Sequence, residues 1–397
     1  MKNIIKSTLL LLCAIGLFTA CDDDLDHNPT LVKPTQFVLN TPAISTTGVV
    51  DLANSDSVNL TCSQPDYGFP ASTKYTVQIA TKADMSDAAD LSQSFTSTHL
   101  NLDAAEVAAT LTNLELAAGH TEAEFPLTVP VYFRAKAVMT KADGTEIDTT
   151  AITSNVVSLQ KVFLRFSLPA VTCPENLYIT GGFNGWSWDT ALQMVEVYGS
   201  RDNANSTAVF WHMVYIDGSG IKFNTAKAWD GNERGYAGIT VDPASEKLSE
   251  IEASSDGNIA SNKPGWYLMV VRAQVNGRNI DYTVTFNEPN VWLMGPVVGN
   301  SDWKELEPGM SFTVPSTADG QFVSPEFKAA VPGGDGDGIR FYVKIPGYDW
   351  WKAEMIVGGD FGKTITYRGN GGDQARVAGN VGQRVYLNFT SETGEVK

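Results

Sequence analysis

The sequence predicts an all-β protein: an N-terminal immunoglobulin/fibronectin-like β-sandwich followed by two tandem β-sandwich modules. Three observations carry this. Short runs of alternating polarity are separated by turn residues, with 35 Gly and 18 Pro in 397 residues. All nine Trp fall between positions 186 and 351, so the composition changes abruptly along the chain. The Trp-bearing part also repeats itself.

Residues 1–20 read as a signal peptide. Lys2 and Lys6 form its positive end, and Leu9 to Phe18 form an apolar run. That run is too short to span a bilayer, which needs about 20 apolar residues. The segment ends Phe18-Thr19-Ala20-Cys21 and resembles a bacterial lipobox, with Phe18 where an aliphatic residue is usual. Cys21 is therefore the expected lipidation site, its acyl chains anchoring the protein in a membrane. Residues 21–33 form an acidic tether that opens Asp22-Asp23-Asp24-Leu25-Asp26. Such a run repels anionic headgroups. It resembles the export signal that sends Bacteroides-group lipoproteins to the exterior face of the cell.

Residues 34–160 read as the first sandwich. Tyr75-Thr76-Val77-Gln78-Ile79 and Val131-Tyr132-Phe133-Arg134-Ala135 alternate as half-buried strands do. A helix is expected over 102–114, capped near Asp103, and a final strand over 154–159. The domain contains no Trp and reads as a spacer.

The remainder divides into 161–287 and 288–397. Leu177-Tyr178-Ile179-Thr180-Gly181 matches Val291-Trp292-Leu293-Met294-Gly295, and Trp188 with Met194 matches Trp303 with Met310. Ile221-Lys222-Phe223-Asn224 matches Ile339-Arg340-Phe341-Tyr342, and Trp266-Tyr267-Leu268 matches Val385-Tyr386-Leu387. The offsets grow steadily from 114 to 119 residues, as tandem copies with loop insertions require.

Several function classes are excluded. A formal charge of −17 offers no basic face for nucleic acid. With Cys13 and Cys21 in the leader and at the anchor, Cys62 and Cys173 remain, and two buried thiols fit better than a bridge. Scattered His residues argue against zinc. The glycine-rich stretch 333–338 has Pro346 where a calcium loop needs Glu, so it reads as a solvated turn. No cofactor or metal is expected.

The Trp residues sort by context. Trp211, Trp266 and Trp292 lie among strand formers and are expected in the core. Trp186, Trp188, Trp229, Trp303, Trp350 and Trp351 lie in loops beside Gly, Asp, Ser or Lys, where exposure for a ligand is expected. The C–H face of a pyranose stacks on indole, and its hydroxyl rim needs donors and acceptors. Lys222 and Asn224 precede Trp229, and Arg340 precedes Trp350 in the matching place.

Gly181-Gly182-Phe183-Asn184-Gly185-Trp186 resembles the glycogen- and starch-binding modules attached to amylase-like enzymes. The order of lipobox, acidic tail, immunoglobulin-like domain and two tandem sugar modules resembles the SusE/SusF outer-membrane starch-binding lipoproteins. The three-domain count is nearer the SusE branch. The resemblance implies two tandem carbohydrate-binding β-sandwich modules that hold starch or maltooligosaccharides without catalysis. Each would use two aromatics set at an angle, a basic residue and polar side chains. It implies Trp188, Trp229, Lys222 and Asn258 in the first module. In the second it implies Trp303, Arg340, and Trp350 or Trp351, with Gln374 or Arg376 as counterpart of Asn258. Trp186 competes with Trp188 for one role. A TonB-dependent transporter and a SusD-like glycan-binding lipoprotein are the implied partners.

A glycosidase would need two carboxylates across a cleft, yet the paired positions keep aromatics and bases. Two rivals stay open: another glycan, such as a xylan or a fructan, and a structural subunit of an uptake complex whose Trp face protein.

Overall fold

The computed structural model describes residues 30–202, 204–300, 302–334, 337–369 and 372–397. The signal peptide, Cys21 and the acidic run lie outside these residues, as do positions 335 and 336 of the glycine-rich turn. The chain divides into two units, the first ending at Pro169 and the second beginning at Ala170.

In the N-terminal unit one sheet runs Val50–Asp51, Val157–Leu164, Leu127–Met139, Thr73–Ala80, Ala89–Phe95, with Ile152–Thr153 added to Leu127–Met139. A two-stranded sheet pairs Ser57–Thr61 with His99–Asp103. Tyr75, Val77, Ile79, Val131, Phe133 and Ala135 turn one face of the large sheet into the core, as their alternation predicts. The helix occupies Ala104–Ala117, later than expected, because Leu102 is still paired across to Val58. Asp103 caps it, its carboxylate accepting from the Glu106 N–H at 2.9 Å. The compositional boundary at 160 cuts through a strand: Val157–Leu164 runs past it, and Val162 and Leu164 stay in the N-terminal core. Cys62 and Cys173 are free, buried thiols in different units.

In the second unit the first copy stacks two five-stranded sheets. One is Leu192–Gln193, Tyr178–Gly181, Ile221–Asn224, Ile259–Ser261, Ile251–Ala253. The other is Val195–Glu196, Thr207–Ile216, Gly265–Asn276, Asn279–Asn287, Thr240–Val241. The second copy has a four-stranded sheet, Val291–Met294, Arg340–Val343, Glu354–Ile356, Thr366–Tyr367, against Phe322–Val323, Val385–Asn388, Thr393–Val396. The repeat holds at the level of elements. Tyr178–Gly181 pairs with Ile221–Asn224 as Val291–Met294 pairs with Arg340–Val343, and a 3₁₀ turn follows each first strand.

The two copies share a core. Strand Thr207–Ile216 and residues 266–271 of Gly265–Asn276 are buried on both faces: Phe210, Val214, Met269 and Val271 face their own sandwich. Trp211, Met213, Trp266 and Leu268 face the second copy, against Phe322, Val385 and Phe389. Trp266 lies 5.1 Å from Phe322, and its Nε1–H donates to Thr317 O at 3.0 Å. Trp211 and Trp266 are therefore core residues of the seam, whereas Trp292, expected in the core, is only partly buried. Among the described residues no helix is long and apolar enough to cross a membrane.

Candidate binding sites

The first site grows from the turn after Tyr178–Gly181. Asn184 latches it: Oδ1 accepts from the Gly181 N–H and the Thr180 hydroxyl, both at 3.0 Å, and Nδ2 donates to Ser187 O at 2.9 Å and Thr190 O at 3.1 Å. Gly185 and Trp186 both take left-handed backbone, φ 65° and 62°. Glycine does this freely, but in a tryptophan such a conformation costs about 1–3 kcal/mol and is held only by its surroundings.

Strand Ile221–Asn224 supplies the opposite wall. Ile221 and Phe223 enter the core, so Lys222 and Asn224 fall on the other face. Asn224 Nδ2 donates to Ala228 O and to Asp230 Oδ1, both at 3.0 Å, and so shapes the loop that carries Trp229. Trp229 is 55% exposed. Its ring lies 6.2 Å from Trp186 at 38°, and 5.2 Å from Trp188 at 62°.

Two expected residues are placed differently here. Trp188 is buried at 7% exposure, because the 3₁₀ turn Trp188–Thr190 tucks its ring in edge-on to Trp229; the partly exposed neighbour is Trp186. Asn258 is 6% exposed, and its Nδ2 donates to Ser219 O at 2.9 Å, so its amide braces a turn. Lys222 is half-buried and on the expected face.

The second site is a cleft of about 300 Å³ lined by Trp303, Arg340, Trp350, Trp351, Arg368 and Asp373. Trp303, 45% exposed, lies over Gly295, where a Cβ would come within 2.7 Å of ring atom Cζ3. Glycine is required there, as φ is also +80°. Tyr342 tethers the Trp303 loop, its hydroxyl accepting from the Leu306 N–H at 2.7 Å, and burial pushes its pKa up to about 12. The 3₁₀ turn Trp350–Ala353 brings both Trp350 and Trp351 to the cleft, so neither displaces the other. Trp303 and Trp350 are nearly parallel, 10° apart at 5.9 Å, in place of the expected angle.

Arg340 differs from the expected hydroxyl donor. It is 3% exposed, with its guanidinium carbon 5.1 Å from the Trp303 ring centre and 5.9 Å from that of Trp350. Nη1 donates to Glu354 at 3.0 Å and Nη2 to Asp373 at 3.1 Å, and the buried Nε has no partner among the described residues. Arg376 bonds Glu354 through Nε and Nη2, each at 2.7 Å, and Arg368 Nη1 reaches it at 2.8 Å. Three guanidiniums thus meet two carboxylates beneath the aromatic rings. Burial opposes ionisation of Asp373, but hydrogen bonds and charge from Arg340 and Arg376 outweigh it and hold the carboxyl at about 2. Arg376 is consumed in this network, and the buried Oε1 of Gln374 has no partner among the described residues. Arg368, Asp373 and Glu354 escaped the sequence reading, because nothing at these positions repeats in the first copy. Among the described residues no three His, Cys, Asp or Glu side chains could hold a metal ion.

Residues 176–283 and 290–395 each match the family described as SusF/SusE starch specific CBMs. Residues 23–136 match the family described as SusE outer membrane protein. The chain belongs to the SusF/SusE family. It is 36% identical over 248 residues to Outer membrane protein SusF of Bacteroides thetaiotaomicron, covering 61% of this chain and 47% of that one. It therefore spans about half the length of the curated relative it matches. The crystal structure of SusF from the same organism aligns with 91% of this chain and 100% of that one, at 22% identity and a TM-score of 0.40. Two matches to one family's modules are what the internal repeat foreshadowed.

Proposed function

We propose that this protein captures starch and maltooligosaccharides at the cell surface without catalysis, on one aromatic site in each copy. One observation carries the reading: each copy presents a protruding Trp, Trp229 at 55% and Trp303 at 45% exposure, within 6.2 Å of a second indole. An exposed indole pair offers a sugar ring apolar faces that water does not satisfy. Membership in a family of starch-specific modules supports the choice of glycan. In this reading Trp229 and Trp186 form the first platform over buried Trp188, with Lys222 as the hydroxyl partner. Trp303, Trp350 and Trp351 form the second, with Arg340 holding the rings. Acylated Cys21 anchors the chain in the outer membrane facing outwards, beside a TonB-dependent transporter and a SusD-like lipoprotein.

The carboxylates of the second site support a non-catalytic role. A glycosidase acid needs a raised pKa. Asp373 is pulled the other way. Glu354 is buried, with its oxygens taken up by Arg340, Arg368 and Arg376.

One observation favours a second reading at one site. The near-parallel Trp303–Trp350 pair suits a flat, extended chain such as xylan, whereas the tilted rings of the first site suit a curved α-glucan. Affinity gels containing soluble starch or xylan decide between them. Starch should retard the protein, and Trp229→Ala with Trp303→Ala should abolish the shift. Retardation by xylan alone would replace starch in the proposal.

A further inference from the structure

Trp351, which lines the second cleft, meets an aromatic ring from the first copy. Tyr198, in the first copy, is 45% exposed, and its ring lies 5.7 Å from Trp351 at 51°. It is held there firmly. The preceding Val197 is wholly buried in the shared core, its N–H donating to Val209 O at 2.8 Å. The Ser200 N–H returns to Val197 O at 2.9 Å, and Arg201 closes the loop onto Glu196 at 2.7 Å. Trp351 therefore has an aromatic neighbour from across the seam as well as Arg368, 5.2 Å from its ring, on the cleft.

We infer that Tyr198 is an outer sugar subsite of the second module's site, so that a bound glucan crosses the seam between the two copies. This rests on the glycan-binding reading above. The Trp303 and Trp350 planes share one orientation, and a curved chain leaving them needs a surface at a different tilt further along. The Trp351–Tyr198 pair supplies a tilted surface of the kind that Trp186 and Trp229 make in the first site. A phenol ring stacks on a pyranose and can also bond its hydroxyls. Because the loop is fixed before the ligand arrives, little ordering entropy is lost on binding. The ligand class is a neutral α-linked oligosaccharide too long for the Trp303–Trp350 pair alone.

The test uses the intact protein with Trp229→Ala, which disables the first site. Maltotriose and maltoheptaose are titrated calorimetrically, with Tyr198→Ala and Tyr198→Phe added in turn. Tyr198→Ala should weaken maltoheptaose by roughly 5–10-fold and leave maltotriose within about twofold, the low end of what losing one stacked ring does. Tyr198→Phe should keep most of the maltoheptaose affinity. An unchanged maltoheptaose affinity in Tyr198→Ala, or an equal loss for both sugars, overturns the seam subsite. Adding Trp303→Ala separates the two levels. If it abolishes the remaining binding while Tyr198→Ala changes nothing, only the subsite fails; if it too changes nothing, the second-site reading itself fails, and the subsite with it.

Discussion

Trp186 and Trp188 show what a sequence conveys about single residues and what it withholds. Their loop setting marked both as candidates, and two positions apart on extended backbone they would point the same way. The left-handed turn at Gly185 and Trp186 breaks that rule, leaving Trp186 half-exposed and Trp188 buried. No composition or spacing announces a tryptophan with positive φ. Arg340 was legible as a basic partner at the right place, but its engagement with Glu354 and Asp373 depends on residues the repeat could not reveal. The exposures separate two variants. Trp229→Ala should cost about 1–3 kcal/mol of glycan binding at its own site and leave the unfolding temperature nearly unchanged. Trp188→Ala should instead destabilise the fold by about 3–5 kcal/mol. Calorimetric binding beside thermal unfolding checks both; a folded, binding-deficient Trp188→Ala would reverse the assignment.

At the scale of elements, the alternating strands of the N-terminal unit were readable because each has one buried face. Thr207–Ile216 was harder: only its first and ninth residues escape burial, so its two sides could not be told apart. Its outer side meets the second copy. There His212, wholly buried, lies with Nε2 3.2 Å from Glu392, while its Nδ1 faces Met213 O at 2.7 Å. Tyr367 donates to Glu392 at 2.9 Å and stays neutral, since burial and the nearby carboxylate push its pKa up. Burial disfavours the imidazolium, but Glu392 and the Met213 carbonyl outweigh it, so the His212 pKa lies above its usual value. A raised folded-state pKa contributes stability below the unfolded value of about 6.5 that is lost as pH rises through the folded value. Thermal unfolding of the protein should therefore show a fall in stability as pH rises past about 6.5, and His212→Gln should flatten it. An unchanged pH profile in the variant would remove His212 from the seam's energetics.

The whole molecule adds what neither copy has alone. The order of two similar modules is legible along the chain, but not their union, because the aromatic seam joins residues that the repeat does not align: Trp266 matches Val385 in the repeat, yet its ring packs on Phe322. On the proposed reading, two sites on one body meet a long polymer together. Once one is bound, the other sees it at high effective concentration, a gain of roughly 10²–10⁴-fold that a short oligosaccharide cannot obtain. The most direct test is calorimetry of wild type and Trp303→Ala with maltotriose and with a long soluble amylose. Two sites for maltotriose should become one, with the remaining affinity within about twofold, while amylose binding falls by about 10²-fold or more. A single maltotriose site abolished equally by Trp229→Ala and by Trp303→Ala would contradict two glycan sites on one chain.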